Sequence, residues 1–120
     1  MWGRDERREK LNNLDATNTA LAKIIGERAR QLTQEGYTPE HDDEHTEGQL
    51  ALLAAAYALS SRDEGFISSK KTMAMQQLEN ALLLYNWSFK PKDHIRDLVR
   101  AGALILAELE RRLRLLCIAR

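Results

Sequence analysis

The segment Ile95-Arg-Asp-Leu-Val-Arg-Ala-Gly-Ala-Leu-Ile-Leu-Ala-Glu-Leu-Glu-Arg-Arg-Leu-Arg-Leu-Leu116 places Ile95, Leu98, Val99, Gly102, Ile105, Leu106, Leu109, Leu113 and Leu116 at steps of three and four residues. That period puts them on one stripe of an α-helix. Leu104, Leu115 and Ile118 fall off the stripe, so the helix is apolar on a second side too. A helix with two apolar sides in a small domain predicts a partner surface, and the expectation is an oligomer joined through this helix. Just before it, Pro91 suits a loop or helix start and Asp93 is placed to cap the helix N-terminus.

The chain upstream is also helical in pattern. Gln49 to Tyr57 is rich in small residues, with Leu50, Leu53, Ala54, Tyr57 and Ala58 on one face and Thr46 as a candidate cap. Its alanines, at 51, 54, 55, 56 and 58, predict a central helix approached from more than one side. Ser60 to Ser69 reads as a polar connector, with Ser68 or Ser69 capping a further helix. The apolar residues of that helix are Met73, Leu78, Ala81, Leu82 and Tyr85, widened by Met75, Leu83 and Leu84. Leu21, Ile24, Ile25 and Leu32 mark another, with Asn18 or Thr19 as its cap and Gly36 where a left-handed residue ends it. Residues 4–15 are charged and mixed in sign, with Leu11 and Leu14 their only apolar anchors, which predicts an exposed helix or an arm. No strand alternation and no internal repeat is present. The expectation is an all-α domain over residues 1–120, a bundle of four to five helices.

Composition narrows the function classes. The net charge of the 120 residues is zero, which argues against generic nucleic-acid binding. No apolar run reaches the roughly 20 residues that span a bilayer. Met1 to Lys10 is too charged for the apolar region of a signal peptide. The single cysteine, Cys117, has no partner for an internal disulfide, and a reducing cytoplasm is the expected setting. Cys117 lies in an apolar turn and reads as a packing residue rather than a nucleophile.

The zero charge hides an asymmetry. Residues 38–50 carry five acids and no Lys or Arg, whereas residues 90–120 carry eight Lys or Arg against four acids. The acidic stretch, Glu35-Gly-Tyr-Thr-Pro-Glu-His-Asp-Asp-Glu-His-Thr-Glu-Gly48, has more side-chain chemistry than a connector needs. His41, Asp42, Asp43 and His45, with Glu47 nearby, could hold a divalent metal if the segment is helical. The other reading is an acidic helix entry, its carboxylates bonded to free N–H groups. No cofactor is otherwise expected. Arg28, Gln31 and Glu35 share a helix face just before this stretch. Arg28 could bind a phosphate or carboxylate, or form a salt bridge to the acidic loop. Trp87 and Phe89 followed by Lys90, Lys92, Arg96 and Arg100 could form a base-stacking platform with phosphate donors, or a core plug beside solvated bases. Walker, dinucleotide-binding, zinc and serine-elbow motifs are absent.

Three segments together, Glu27-Arg-Ala-Arg-Gln31, Glu35 to His45 with Gly48-Gln-Leu-Ala51, and Trp87 to Asp93 with Arg96 to Glu108, resemble a family of uncharacterised small helical proteins of tailed phages and prophages. The likeness spans roughly residues 22–110. The chain departs from it over Ser60–Asn86, where it carries an extra helix. A weaker likeness, through Asp97 and Glu108 eleven residues apart, is to the MazG-type all-α nucleoside triphosphate pyrophosphohydrolases. The first resemblance implies action against a host system. With aromatic, basic and acidic walls, the implied activity is binding and sequestering a nucleotide-like host signal. The ligand set would be Arg28, Gln31, Glu35, Tyr37, Thr38, His41, Asp42, Asp43, His45, Trp87, Lys90, Lys92, Arg96 and Arg100. The alternatives are a metal-dependent nucleotide pyrophosphohydrolase and a protein-binding inhibitor of a host enzyme.

Overall fold

The structure is a computed structural model that describes residues 3–61, 73–84 and 93–119. Their order is α1 (Arg4–Thr33), α2 (Pro39–Asp43), α3 (Gln49–Ser60), α4 (Met73–Leu84) and α5 (His94–Ala119). No strand occurs among the described residues, so the all-α expectation holds. No helix among the described residues is long and apolar enough to cross a membrane.

The first two expected segments are one helix. α1 runs 30 residues without a break, and neither Asn18 nor Thr19 interrupts it. Both are tolerable in a helix interior at a few tenths of a kcal/mol each, and no Gly or Pro before Gly26 forces an end. Residues 4–23 are exposed throughout. A radius of gyration of 17.3 Å, against about 14 Å for a compact chain of this length, agrees with a helix that projects from the rest.

α3 and α5 form the core, with α4 against α3 and α1 against α5. The cluster is built from Leu50, Leu53, Ala54, Ala56 and Tyr57 of α3, Leu82 of α4, and Ala101, Leu104 and Ala107 of α5. Buried alanines on both α3 and α5 let the two axes approach closely, because helix separation is set by the side chains at the contact. The expected face of α3 is correct at Leu50, Leu53, Ala54 and Tyr57. Ala58 is exposed and leaves that face, and Ala51 and Ala55 are exposed as well, but α3 packs against both α4 and α5, as expected of a central helix.

The α5 reading is overturned in part: Leu115 is 52% exposed, as expected of the outward strip, but the rest of the reading changes. Leu104, expected on the outward strip, is 1% exposed and sits in the core, while Ile95, Leu98, Ile105, Leu109, Leu113 and Leu116 are all at least half exposed. α1 crosses this apolar stripe at Gly102, where a Cβ would lie 2.8 Å from Ile24 Cδ1. Gly102 therefore permits the close crossing, and the stripe continues uncovered to either side. Cys117 is exposed, not packed.

The helix ends are tied by specific bonds. Asp93 Oδ1 accepts from the Arg96 amide at 2.9 Å, the expected cap of α5. Thr46 does not cap α3. Gly48 precedes it in the left-handed region at φ 82°, a conformation that other residues rarely adopt. Ser60, expected in the connector, is the last residue of α3, and its hydroxyl donates to Asp97 Oδ2 at 3.0 Å. His94 Nδ1 donates to the Ser61 carbonyl at 2.9 Å. These two bonds pin the end of α3 to the start of α5. The expected caps Ser68 and Ser69, the helix residue Tyr85, and the loop residues Trp87, Phe89, Lys90 and Lys92 lie outside the described residues.

Candidate functional site

The acidic stretch folds because each local residue suits its position. Gly36, at φ 73°, turns the chain out of α1, and the Tyr37 amide donates back to the Gln31 carbonyl at 2.9 Å. Thr38 caps α2, its hydroxyl accepting from the His41 amide at 3.2 Å, and Pro39 starts the helix where no donor is needed. The segment expected to be non-periodic is thus a one-turn helix, which brings its polar side chains to bear on α1 and α5.

Arg28 is the hub of that contact. It is 4% exposed, and Asp42 is 0% exposed. Arg28 Nη2 donates to Asp42 Oδ2 at 2.8 Å and to Glu110 Oε2 of α5 at 3.0 Å, and Nη1 donates to the Tyr37 carbonyl at 3.3 Å. Of the two readings of Arg28, the salt bridge to the acidic loop is the one realised. Nearer the surface, Arg114 Nη2 donates to Asp43 Oδ1 at 2.8 Å, and that bond raises the arginine's pKa. One short helix is therefore clamped to α1 through Arg28 and Asp42 and to α5 through Arg114 and Asp43.

An aromatic layer covers the buried pair. The Tyr37 ring stacks on His41 with centroids 5.0 Å apart, and His45 meets His41 edge-on at 4.5 Å. His41 Nδ1 lies 3.3 Å from Asp42 Oδ1, and its Nε2 lies 3.2 Å from His45 Nε2. A carboxylate only accepts, so His41 Nδ1 carries the proton. In the neutral ring, His41 Nε2 then accepts from His45 Nε2–H. Burial, and then the neighbouring His41, push the His45 pKa below its ordinary value, and burial pushes the Tyr37 hydroxyl up.

The shift of His45 sets a sign. The folded protein binds a proton at His45 less readily than the unfolded chain does. Its contribution is complete above the unfolded value of 6.5 and declines as the pH falls below that. Urea midpoints are expected to drop between pH 7.5 and pH 5.5, with His45→Gln flattening the slope. An unchanged slope in that variant would refute the assignment.

The remaining expected site residues separate. Gln31 turns to Glu27, donating to Oε2 at 3.2 Å, and its buried Oε1 has no partner among the described residues. Glu35 accepts from Arg30 at 2.9 Å. Arg28, Gln31 and Glu35 therefore do not work as one face. The pyrophosphohydrolase-like pair is also taken up structurally: Asp97 is buried against Ser60, and Glu108 is buried with Arg111.

A second feature lies where α1 meets the start of α5. Lys23, Gly26, Glu27 and Arg30 face Ile95, Arg96 and Val99 across an open groove of about 190 Å³. Three cations and one acid line it. Arg30 holds Glu27 through bonds of 2.8 and 2.7 Å. Burial alone would raise the Glu27 pKa, but Arg30 and Gln31 hold it below its ordinary value, while the Glu27 bond raises that of Arg30. Lys23 and Arg96 form no ion pair among the described residues. Arg100 sits 5.5 Å over the Tyr57 ring, beside this region. The structure thus places Arg96 in the groove and the His41–Asp42 cluster at the α2–α5 contact. Lys23, Glu110 and Arg114 were not legible in the sequence, since only the α1–α5 crossing gives Lys23 its place in the groove and only the docking of α2 gives Glu110 and Arg114 their partners.

Among the described residues, no group of three or more His, Cys, Asp or Glu side chains is arranged to hold a metal ion. Asp42 and Asp43 already have arginine partners. EDTA is expected to leave the melting temperature unchanged, and a fall reversed by Mn²⁺ or Zn²⁺ would assign a metal to His41, Asp42, Asp43 and His45. No protein-family model, curated protein or solved structure matches the chain.

Proposed function

We propose that the protein captures a phosphate-bearing, nucleotide-like small molecule and sequesters it intact, with the α1–α5 groove holding the anionic part. The observation that carries this reading is the convergence of Lys23, Arg30 and Arg96 on an apolar floor of Ile95 and Val99 in a chain of zero net charge. The groove volume is below the ~300 Å³ typical of a pocket that encloses a whole ligand. It suits phosphates, with the base held elsewhere, and Trp87, Lys90 and Lys92 are the residues proposed for that part. Arg28, Tyr37, His41 and Asp42 brace α2 in this reading rather than donate to the ligand. With the resemblance to phage proteins, the captured molecule would be a nucleotide signal in the cytoplasm of a host cell.

The reading includes self-association through α5. Its half-exposed leucines and isoleucines would be covered by further copies, which complete a helical bundle.

The test is calorimetry and chromatography with a nucleotide panel that includes cyclic dinucleotides and cyclic ADP-ribose-like molecules. A charge-assisted bond to phosphate is worth about 1.5–3 kcal/mol. Arg96→Ala or Lys23→Ala should therefore weaken binding by roughly 10- to 100-fold, at about 1.4 kcal/mol per decade. The ligand should be recovered unchanged after heating the protein. Conversion to a monophosphate and pyrophosphate would favour the hydrolase instead. No binding tighter than about 100 μM, roughly −5.5 kcal/mol, would sink both.

A further inference from the structure

The projecting half of α1 carries a regular apolar pattern that lies exposed among the described residues. Leu11, Leu14, Leu21 and Ile25 are each more than half exposed, and Asn18, between them, is exposed as well. Written as heptads, Leu11, Asn18 and Ile25 take the a positions, and Leu14 and Leu21 take the d positions. The next d position is Arg28, which is buried in its own chain against Asp42 and Glu110. The seam thus ends where the protomer's own packing begins. It is about 21 Å long at 1.5 Å per residue.

We propose that α1 pairs with α1 of a second copy of this chain as a parallel, in-register two-stranded coiled coil over residues 11–25. Two observations select a second copy. Leu at both d positions with a single Asn at the central a position is the pattern that fixes register and strand number, each Asn meeting its symmetry mate. The available area also suffices. At about 100 Å² for each half-exposed leucine or isoleucine, four side chains of α1 supply roughly 400 Å², short of the ~800 Å² per partner of a stable interface. Leu98, Ile105, Leu109, Leu113 and Leu116 of α5 are exposed on the stripe that α1 crosses at Gly102. With them the apolar surface reaches roughly 900 Å² per copy. The two strips meet at the crossing, where Ile24 covers Gly102 and Ile25 begins the α1 seam.

The proposal extends the self-association reading and does not depend on ligand capture. Light scattering of the full chain at roughly 50 μM, without nucleotide, should give a mass of two copies or a multiple of two. Leu14→Glu with Leu21→Glu should halve it or more. Asn18→Leu should associate more tightly than the native chain, because a buried polar pair is removed. As a geometric check, Leu14→Cys in a Cys117→Ser background should cross-link copies under mild oxidation. A native monomer, a mass unchanged by the glutamate pair, weaker association of Asn18→Leu, or a dimer that fails to cross-link at position 14 would each overturn it. Ligand binding by a chain that stays monomeric would leave the capture reading standing and this one fallen.

Discussion

Arg28→Met is expected to destabilise the fold by about 3–5 kcal/mol, the cost of leaving a buried carboxylate without its cation. Asp42 is fully buried and its Oδ2 lies 2.8 Å from the Arg28 guanidinium. The variant also frees the Tyr37 carbonyl and Glu110 from their arginine bonds. For a domain with total stability of about 5–15 kcal/mol, this is a large fraction. Urea denaturation measures it. The double variant Arg28→Met, Asp42→Leu should recover much of the loss, because replacing a buried ion pair by apolar groups is often close to neutral. A single variant within about 0.5 kcal/mol of the native chain would show that the pair is not buried in solution. Arg28 is the one residue for which the ligand and structural readings diverge most. Loss of folding in the single variant, with folding and ligand binding both retained in the double variant, assigns it to structure.

Leu104→Ala is expected to cost about 2–5 kcal/mol, whereas Leu109→Ala should cost well under 1 kcal/mol in the isolated protomer. Leu104 is 1% exposed among Leu50, Leu53 and Ala101, while Leu109 is 51% exposed. Truncating Leu104 removes transfer energy and leaves a cavity between two helices held close by alanines. Truncating Leu109 removes surface that is half exposed in the protomer and that the proposed association would cover. Denaturation at low protein concentration separates the two. Equal losses would restore the original assignment of the α5 stripe to the core. The comparison at high concentration bears on the proposed assembly: Leu109→Ala should then lose more than it does when dilute, because that association would bury the side chain.

Much of the local structure was legible because it depends on neighbours in sequence. Helical periods marked α3, α4 and α5. Gly36 marked the left-handed exit from α1, and Asp93 marked the start of α5. The acidic stretch was recognisable as a site of dense chemistry, although its one-turn helix was not, since five residues are too few to show a period. The continuity of α1 was missed because Asn18 and Thr19 read equally well as caps and as exposed interior residues. Nothing local decides between them.

The all-helical class and the positions of several helix ends were determined by the amino-acid sequence alone, through interactions of residues no more than four apart. Which face of α5 turns inward was decided only in three dimensions. Periodicity marked the leucine and isoleucine stripe, yet Ala101, Ala103 and Ala107 with Leu104 went inside. Their small side chains let α5 approach α3 and leave room for its Leu50, Leu53 and Tyr57, and the larger stripe was left to α1 and to open surface. The fate of Arg28 is of the same kind. Its charge was visible from the start, but its partners lie 14 and 82 residues away. Only the docking of α2 and α5 could bring those carboxylates to one guanidinium and exclude water from the pair.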